Sequence, residues 1–204
     1  MAMRDFVFSI VLFSFWFSTA FATTPHDTSI QSFSGKSEFY TEEMDFSGIY
    51  PHLENINIDA TRKKRVELNL SGSYPVLKTV FYRGSFGTLA VNACGDLPVL
   101  ENASFLCSSC HLLLDLSGQW SKSASITVKN ENEDIRLIFP ADIGVIVRTT
   151  TGLKGKVSSA MGFRKVSGSW NKKMFVNDKY PDASVRLTVD IVTCGKGSIF
   201  LAQK

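Results

Sequence analysis

The strongest chemical signature in this 204-residue chain is Cys107-Ser-Ser-Cys110-His111. Two cysteines three apart, followed by a histidine, have the spacing that attaches c-type haem: both sulfurs bond the vinyl groups and the imidazole ligates iron. A short helical segment normally supplies that geometry. Here the motif lies between Phe105 and an extended run that begins at Leu112, and on an extended chain positions three apart face opposite ways. No second axial ligand stands out beyond Met161 and Met174. A zinc site would need four convergent ligands, and His111 is the one imidazole nearby. A redox-active dithiol lacks the helix N-terminus that lowers a thiol pKa. No cofactor or metal is therefore expected, and covalent haem through Cys107, Cys110 and His111 stands as a third reading. Two simpler roles remain, a local Cys107–Cys110 disulfide or free thiols at turns. The four cysteines allow three complete pairings. The local one needs a tight corner, with Cα atoms within about 7 Å. Aligned by the period described below, Cys107 shares a column with Cys194, too many turns away to meet it.

Hydrolytic or lyase chemistry on an acidic polysaccharide would need clustered acids and bases on one outward strand face. The outward positions are Glu67/Asn69, Ala90/Asn92, Leu113/Asp115 and Arg136/Ile138, and no column concentrates such groups. Gly-x-Ser-x-Gly and His-Glu-x-x-His are absent, and the only histidines are His26, His52 and His111. The expectation is no catalysis, with a cell-surface polysaccharide enzyme as the alternative. Binding chemistry has better material in Trp170-Asn-Lys172-Lys173, where an aromatic face and two cations could grip a glycan, an envelope protein or an anionic surface. A second cationic cluster, Arg62-Lys-Lys-Arg65, occupies a corner column that later holds Glu131-Asn-Glu-Asp134. The net charge of +3 is too mild for a nucleic-acid partner.

These side chains are positioned by a repeat. Gly48-Ile-Tyr-Pro-His-Leu returns as Gly72-Ser-Tyr-Pro-Val-Leu, then Gly95-Asp-Leu-Pro-Val-Leu, with a fourth copy at Gly118-Gln-Trp120; the glycines are 24, 23 and 23 residues apart. A fixed period of this length marks an array whose units bury their apolar faces against their neighbours. Stacked in register, Leu68, Val91, Leu114 and Leu137 form one column, and Leu70, Ala93, Leu116 and Phe139 a second. Val66, Leu89, Leu112 and Ile135 form a third, Tyr74, Leu97, Trp120 and Ile143 a fourth, and Val80, Ala103 and Ile126 a fifth. The alternation in Val66-Glu-Leu-Asn-Leu has period two, so the units are strands, with Gly, Pro and Ser at the corners. The expected fold is an all-β, right-handed parallel β-solenoid, a single-chain β-helix with rungs of about 23 residues. One rung buries about five apolar residues, too little to offset the entropy of ordering it, so several must stack and both ends need covers. The polar leader and the C-terminal strands Val185–Val192 and Ser198–Leu201 are the expected covers. The period loosens after Val157, and the segment 158–180 reads as a loop excursion.

Arg4 followed by the apolar run Phe6–Phe17 and by Ala20-Phe21-Ala22 has the form of a secretory signal, which places residues 1–22 outside the mature fold. Residues 23–43 read as a polar leader or cap, and 44–204 as the solenoid domain. No stretch reaches the 18 apolar residues of a membrane span. The expected location is exported, in the periplasm, at the cell surface or secreted.

A family resemblance rests on four stretches: Leu114-Asp-Leu-Ser-Gly-Gln-Trp; Ile135-Arg-Leu-Ile-Phe-Pro-Ala-Asp-Ile-Gly-Val-Ile-Val-Arg-Thr-Thr-Thr-Gly followed by Gly162-Phe163; Phe175-Val-Asn-Asp-Lys-Tyr; and Val189-Asp-Ile-Val-Thr-Cys-Gly-Lys-Gly-Ser-Ile-Phe-Leu. Over residues 45 to 201 the chain resembles the bacterial toastrack, or adhesin-type, domain. The resemblance implies a right-handed β-helix outside a bacterial membrane, in surface proteins or envelope-stress sensors, and implies no catalytic residues. Cys107, Cys110 and Cys194 stand at turns where that family usually has Thr, Ser or Gly. Together these readings describe an exported, non-catalytic binding or scaffold protein of the bacterial cell envelope.

Overall fold

The computed structural model describes residues 22–23, 30–36, 41–60 and 65–204. The signal-like segment, apart from Ala22, and the cations Arg62, Lys63 and Lys64 lie outside the described residues. The strands are β1 (Ala22–Thr23), β2 (Ser32–Lys36), β3 (Thr41–Asp45), β4 (Asn55–Ala60), β5 (Arg65–Asn69), β6 (Thr79–Asn92), β7 (Asn102–Asp115) and β8 (Ala124–Asn130). They continue as β9 (Ile135–Phe139), β10 (Gly144–Thr150), β11 (Val157–Ser159), β12 (Phe163–Gly168), β13 (Lys172–Asn177), β14 (Arg186–Thr193) and β15 (Ile199–Gln203). The molecule is all-β, with no helix among the described residues, and its strands join in one large, mostly parallel sheet.

Alternation sets which way each strand faces. In β4, Ile56, Ile58 and Ala60 are buried while Asn55 and Asn57 are exposed; in β8, Ala124, Ile126 and Val128 are buried. From β2 to β9 each strand then lies beside its equivalent 23 or 24 residues away. Thr41 pairs with Arg65 and Asn55 with Thr79, both 24 residues on. Ser32–Asn55, Arg65–Thr88, Thr79–Asn102, Asn102–Ser125 and Leu112–Ile135 are each 23 apart. The pairing makes two rows. One contains β2, β4, the first half of β6, the first half of β7, and β8. The other contains β1, β3, β5, the second halves of β6 and β7, and β9. Part of the polar stretch 23–43 thus contributes strands to both rows.

Between the rows runs the corner that carries the Gly-x-x-Pro phrase. Isolated parallel bridges link Ile49 to Ser73, Ser73 to Asp96 and Asp96 to Gln119. The chains approach so closely there that a Cβ on Gly72 would run into the carbonyl oxygen of Gly48, one on Gly95 into that of Gly72, and one on Gly118 into that of Gly95. The repeated glycine is therefore a contact requirement. Tyr74, Leu97 and Trp120 fill the inside of this corner; the Tyr74 hydroxyl donates to the Phe46 carbonyl and the Trp120 indole donates to the Leu116 carbonyl at 3.0 Å.

Three expectations are corrected. The C-terminal strands are not covers. β14 lies between β8 and β10, pairing Leu187 with both Ala124 and Val145, and β15 lies between β9 and β11. The chain therefore skips a place after Phe139 and fills it last. Leu187, Val189 and Ile191 alternate like every other inward strand, so their pattern guarantees burial without naming the neighbours. For the same reason Ile143 does not stack on Trp120, since β10 is not adjacent to β8. The excursion 158–180 holds strands of its own: β12 and β13 form an antiparallel pair, and β13 runs antiparallel to β10. This pair extends the first row beyond β10 and ends it at β12.

Candidate functional site

The cysteine motif lies within β7, and its environment answers the chemistry first raised by its spacing. Alternation in β7 breaks at Ser108 and Ser109, so Cys107 and Cys110 both turn inward and are buried. The expectation of opposite faces fails because the strand bends there. Their Cα atoms are 5.8 Å apart and their sulfurs are joined as a disulfide. Gly84 and Gly87 stand beside them in the preceding strand; on the other side Cys107 pairs with Asn130, and Asn130 then with Thr193, which displaces Cys194 from the expected column. Asn130 is itself buried and replaces missing backbone partners at the bend. It accepts from the Cys110 amide at 3.2 Å and donates to the Cys110 carbonyl at 2.7 Å and the Glu133 carbonyl at 2.8 Å. His111 points outward, 3.2 Å from the Glu133 carboxylate. Sulfurs bonded to each other inside the core are not open to haem vinyl groups. Among the described residues no three His, Cys, Asp or Glu side chains converge on a metal position.

The outward face of the second row is a shallow groove of about 320 Å³ that includes Glu43, Glu67, Asn92, Leu113, Asp115 and Arg136. Its polar groups are largely turned to one another. Glu67 takes Arg65 at 2.5 Å, Asn92 donates to Asn69 at 3.2 Å and Asn69 to Asp45 at 2.9 Å. Asp115 accepts from the Ser117 amide at 3.0 Å and lies 3.6 Å from the Lys204 ammonium. These contacts form a polar ladder along the strands.

The end formed by β10–β13 differs in kind. Residues 143–177 contain Arg148, Lys154, Lys156, Arg164, Lys165, Lys172 and Lys173 and no Asp or Glu. Among the described residues only Arg148 of these makes an ion pair, with Asp190 at 3.6 Å. Trp170 and Lys172 are exposed and Lys173 is half-buried, all three at or beside the β12–β13 turn, which Gly168 opens with a φ of 139°. Trp170 is 66% exposed, so it does not pack on the flank of the sheet. The hairpin is tied to the neighbouring turn by the Thr151 amide, which donates to the Asn171 carbonyl at 2.8 Å. Its far end is fixed by Asn177, fully buried, which donates to the Ile143 carbonyl at 2.7 Å and accepts from the Val145 amide at 2.8 Å. Among the described residues β12 pairs with β13 alone and leaves its other edge open.

The structure places Leu153 beside the Trp170, Lys172 and Lys173 turn and Met161 at the opposite end of β12, with Val166 between them on that strand; all three of these apolar residues are exposed and residue typing passed them over. A sequence signal for them existed. The long acid-free interval and the apolar residues at its turns are both legible once the turns are located.

Compared with family models and with curated proteins, the chain matches none. Among solved structures it is similar in fold to a protein of Clostridium sporogenes described as a "putative cell adhesion protein", with a TM-score of 0.51 and 16% identity. The likeness covers 69% of this chain and 56% of that one, so it spans little more than half of that protein's length. No helix among the described residues is long and apolar enough to cross a membrane.

Proposed function

We propose that this chain is an exported, non-catalytic binding or scaffold protein of the bacterial cell envelope, adhesin-like in role and folded as a right-handed parallel β-solenoid of the toastrack type. Pairing registers of 23 and 24 residues support the solenoid reading, with a rung of about that length. The apolar run Phe6–Phe17 and the Ala20-Phe21-Ala22 site support export. The fold of the adhesion-type neighbour is compatible with a binding role. One observation carries that role: the acid-free end, where Trp170, Lys172 and Lys173 are held on a rigid hairpin and six cations lack ion-pair partners among the described residues. Such an end attracts an anionic partner, and it does so from a framework that needs no rearrangement.

The test is binding of the full chain to a soluble polyanion, inorganic polyphosphate, measured by calorimetry at low salt. Wild type should bind, and Trp170→Ala/Lys172→Ala/Lys173→Ala should bind at least about tenfold more weakly with an unchanged melting temperature. Equal binding by the variant would remove this hairpin from the site.

A further inference from the structure

Resting on that reading, we infer that the partner of the basic end is the surface of an anionic lipid bilayer, docked through three consecutive turns. Each turn of this last tier carries a large exposed apolar side chain followed within four residues by two cations. The β10–β11 turn has Leu153, 86% exposed, with Lys154 and Lys156; the β11–β12 turn has Met161, 94% exposed, with Arg164 and Lys165; the β12–β13 turn has Trp170, 66% exposed, with Lys172 and Lys173. No carboxylate interrupts the series.

The combination selects the occupant. A soluble polyanion would neutralise the cations but leave Leu153, Met161 and Trp170 in water. A partner strand added to the open edge of β12 would pair backbone with backbone and engage the strand edge, not the turn tips. A bilayer takes both components. Apolar tips enter the headgroup boundary, long Lys and Arg stems lie along it with their charges at the phosphates, and a Trp ring suits that depth. Attraction to anionic lipid adds about 1 kcal/mol per basic residue near the surface. The tier is also stiff, because the Thr151–Asn171 hydrogen bond sets the Leu153 and Trp170 turns side by side and the Ala160 amide, donating to Leu201 at 2.8 Å, anchors the third. The backbone of the turns is thus ordered before docking.

The experiment is co-sedimentation of the full chain with vesicles of phosphatidylglycerol and phosphatidylcholine, against vesicles of phosphatidylcholine alone, with Trp emission recorded in parallel. The chain has three tryptophans, and Trp120 is buried, so the difference between wild type and Trp170→Phe isolates the Trp170 signal. Residues 1–22 are the same in every variant, so each readout is the difference between wild type and variant at lipid concentrations below saturation. The expected result is partitioning that needs phosphatidylglycerol, weakens with salt, and shifts Trp170 emission to the blue. Lys172→Ala/Lys173→Ala should partition about 30-fold more weakly. Leu153→Ser/Met161→Ser should lose the vesicles while keeping polyphosphate. Binding of polyphosphate without vesicles, or vesicle binding that these variants do not weaken, overturns the lipid assignment and leaves the anion-binding end standing. Failure to bind either probe removes both.

Discussion

Between Arg65 and Phe139 every strand sits beside the one 23 residues away, while between Gly144 and Asn177 the chain leaves that order, turns antiparallel and ends in an exposed edge. Both regions use short strands with inward Val, Ile, Leu and Phe. They differ in where backbones come into contact. In the first, backbones touch at the Gly corner, so a strand accepts only a neighbour with glycine in register. In the second, the close approaches move to another corner, where a Cβ on Gly152 would run into the Cys194 carbonyl and one on Gly197 into that of Glu133. Contact at the backbone specifies order, and burial alone does not.

The largest effect should come from breaking that corner. Gly95→Ala places a methyl group against the Gly72 and Leu70 carbonyls, and neither backbone can retreat without parting the bridges beside it. We expect a loss of about 2–4 kcal/mol, visible in urea unfolding. Gly48→Ala is the sharpening control. Among the described residues its new methyl would meet only the Tyr50 ring, at 3.4 Å, so it should change stability by less than about 0.5 kcal/mol. Equal losses for the two would mean that the motif serves local turn geometry rather than stacking.

The next effect tests what holds the out-of-order region. Asn177 supplies its carboxamide to two backbone groups of the β10 entry, and Asn130 does the same for the Cys110 bend. Replacing either with alanine strands buried backbone polar groups, at about 1–3 kcal/mol each. Asn177→Ala should also speed hydrogen exchange in β10, β12 and β13 before the rest of the sheet. Uniform exchange across all strands would show that the end is not a separable unit.

The sequence exposed these two regions unequally. Spacing and alternation located the Leu68, Val91, Leu114 and Leu137 column, and the register confirms that pairing. Gly72, Gly95 and Gly118 were legible because a steric requirement recurs at one period. The insertion of β14 and β15 was not, since Leu187 and Val189 carry the same inward pattern as Val145 and Val147, and alternation says which way a side chain faces without saying what it faces. The bend at Ser108 was hidden for a related reason: a polar pair inside a strand reads as continued alternation until the chain is seen to turn. At the candidate site Trp170, Lys172 and Lys173 stood out by type. Leu153 and Met161 did not, because an isolated apolar residue in a sequence is more often core than surface.

Alkaline pH sharpens the comparison next. The ordered region buries Tyr74 and Tyr82 in its interior. Burial pushes the Tyr82 phenol up to about 12, helped by the negative charges of Asp59 and Glu42, and burial pushes Tyr74 up as well. Unfolded tyrosines ionise near 10. Above that pH the unfolded chain sheds protons that the folded chain keeps, so stability is full below pH 10 and falls as pH rises toward 12. The Tyr82 share is on the order of 2 kcal/mol. Tyr82→Phe should flatten the decline in urea stability between pH 9 and 11.5, and an unchanged slope would assign the alkaline loss elsewhere.

The smallest effect separates the two regions by their surface charge. Along the ordered region Glu54, Lys78, Glu101 and Lys122 alternate in sign across successive tiers, with Lys78 at 2.9 Å from Glu54 and Lys122 at 2.6 Å from Glu101. The hydrogen bond from Lys122 lowers the Glu101 pKa, and the one to Glu54 raises that of Lys78. These groups are exposed, so Lys122→Ala should cost less than about 1 kcal/mol and the cost should shrink as salt is added. In the acid-free end the same substitution should behave oppositely. Lys172 has no ion-pair partner among the described residues and sits among other cations, so Lys172→Ala relieves repulsion and should leave stability unchanged or raise it by a few tenths of a kcal/mol at low salt. Raised salt should erase that gain. If Lys172→Ala destabilises as much as Lys122→Ala, a carboxylate compensates the end in solution, and its cations are not free to meet an anionic partner.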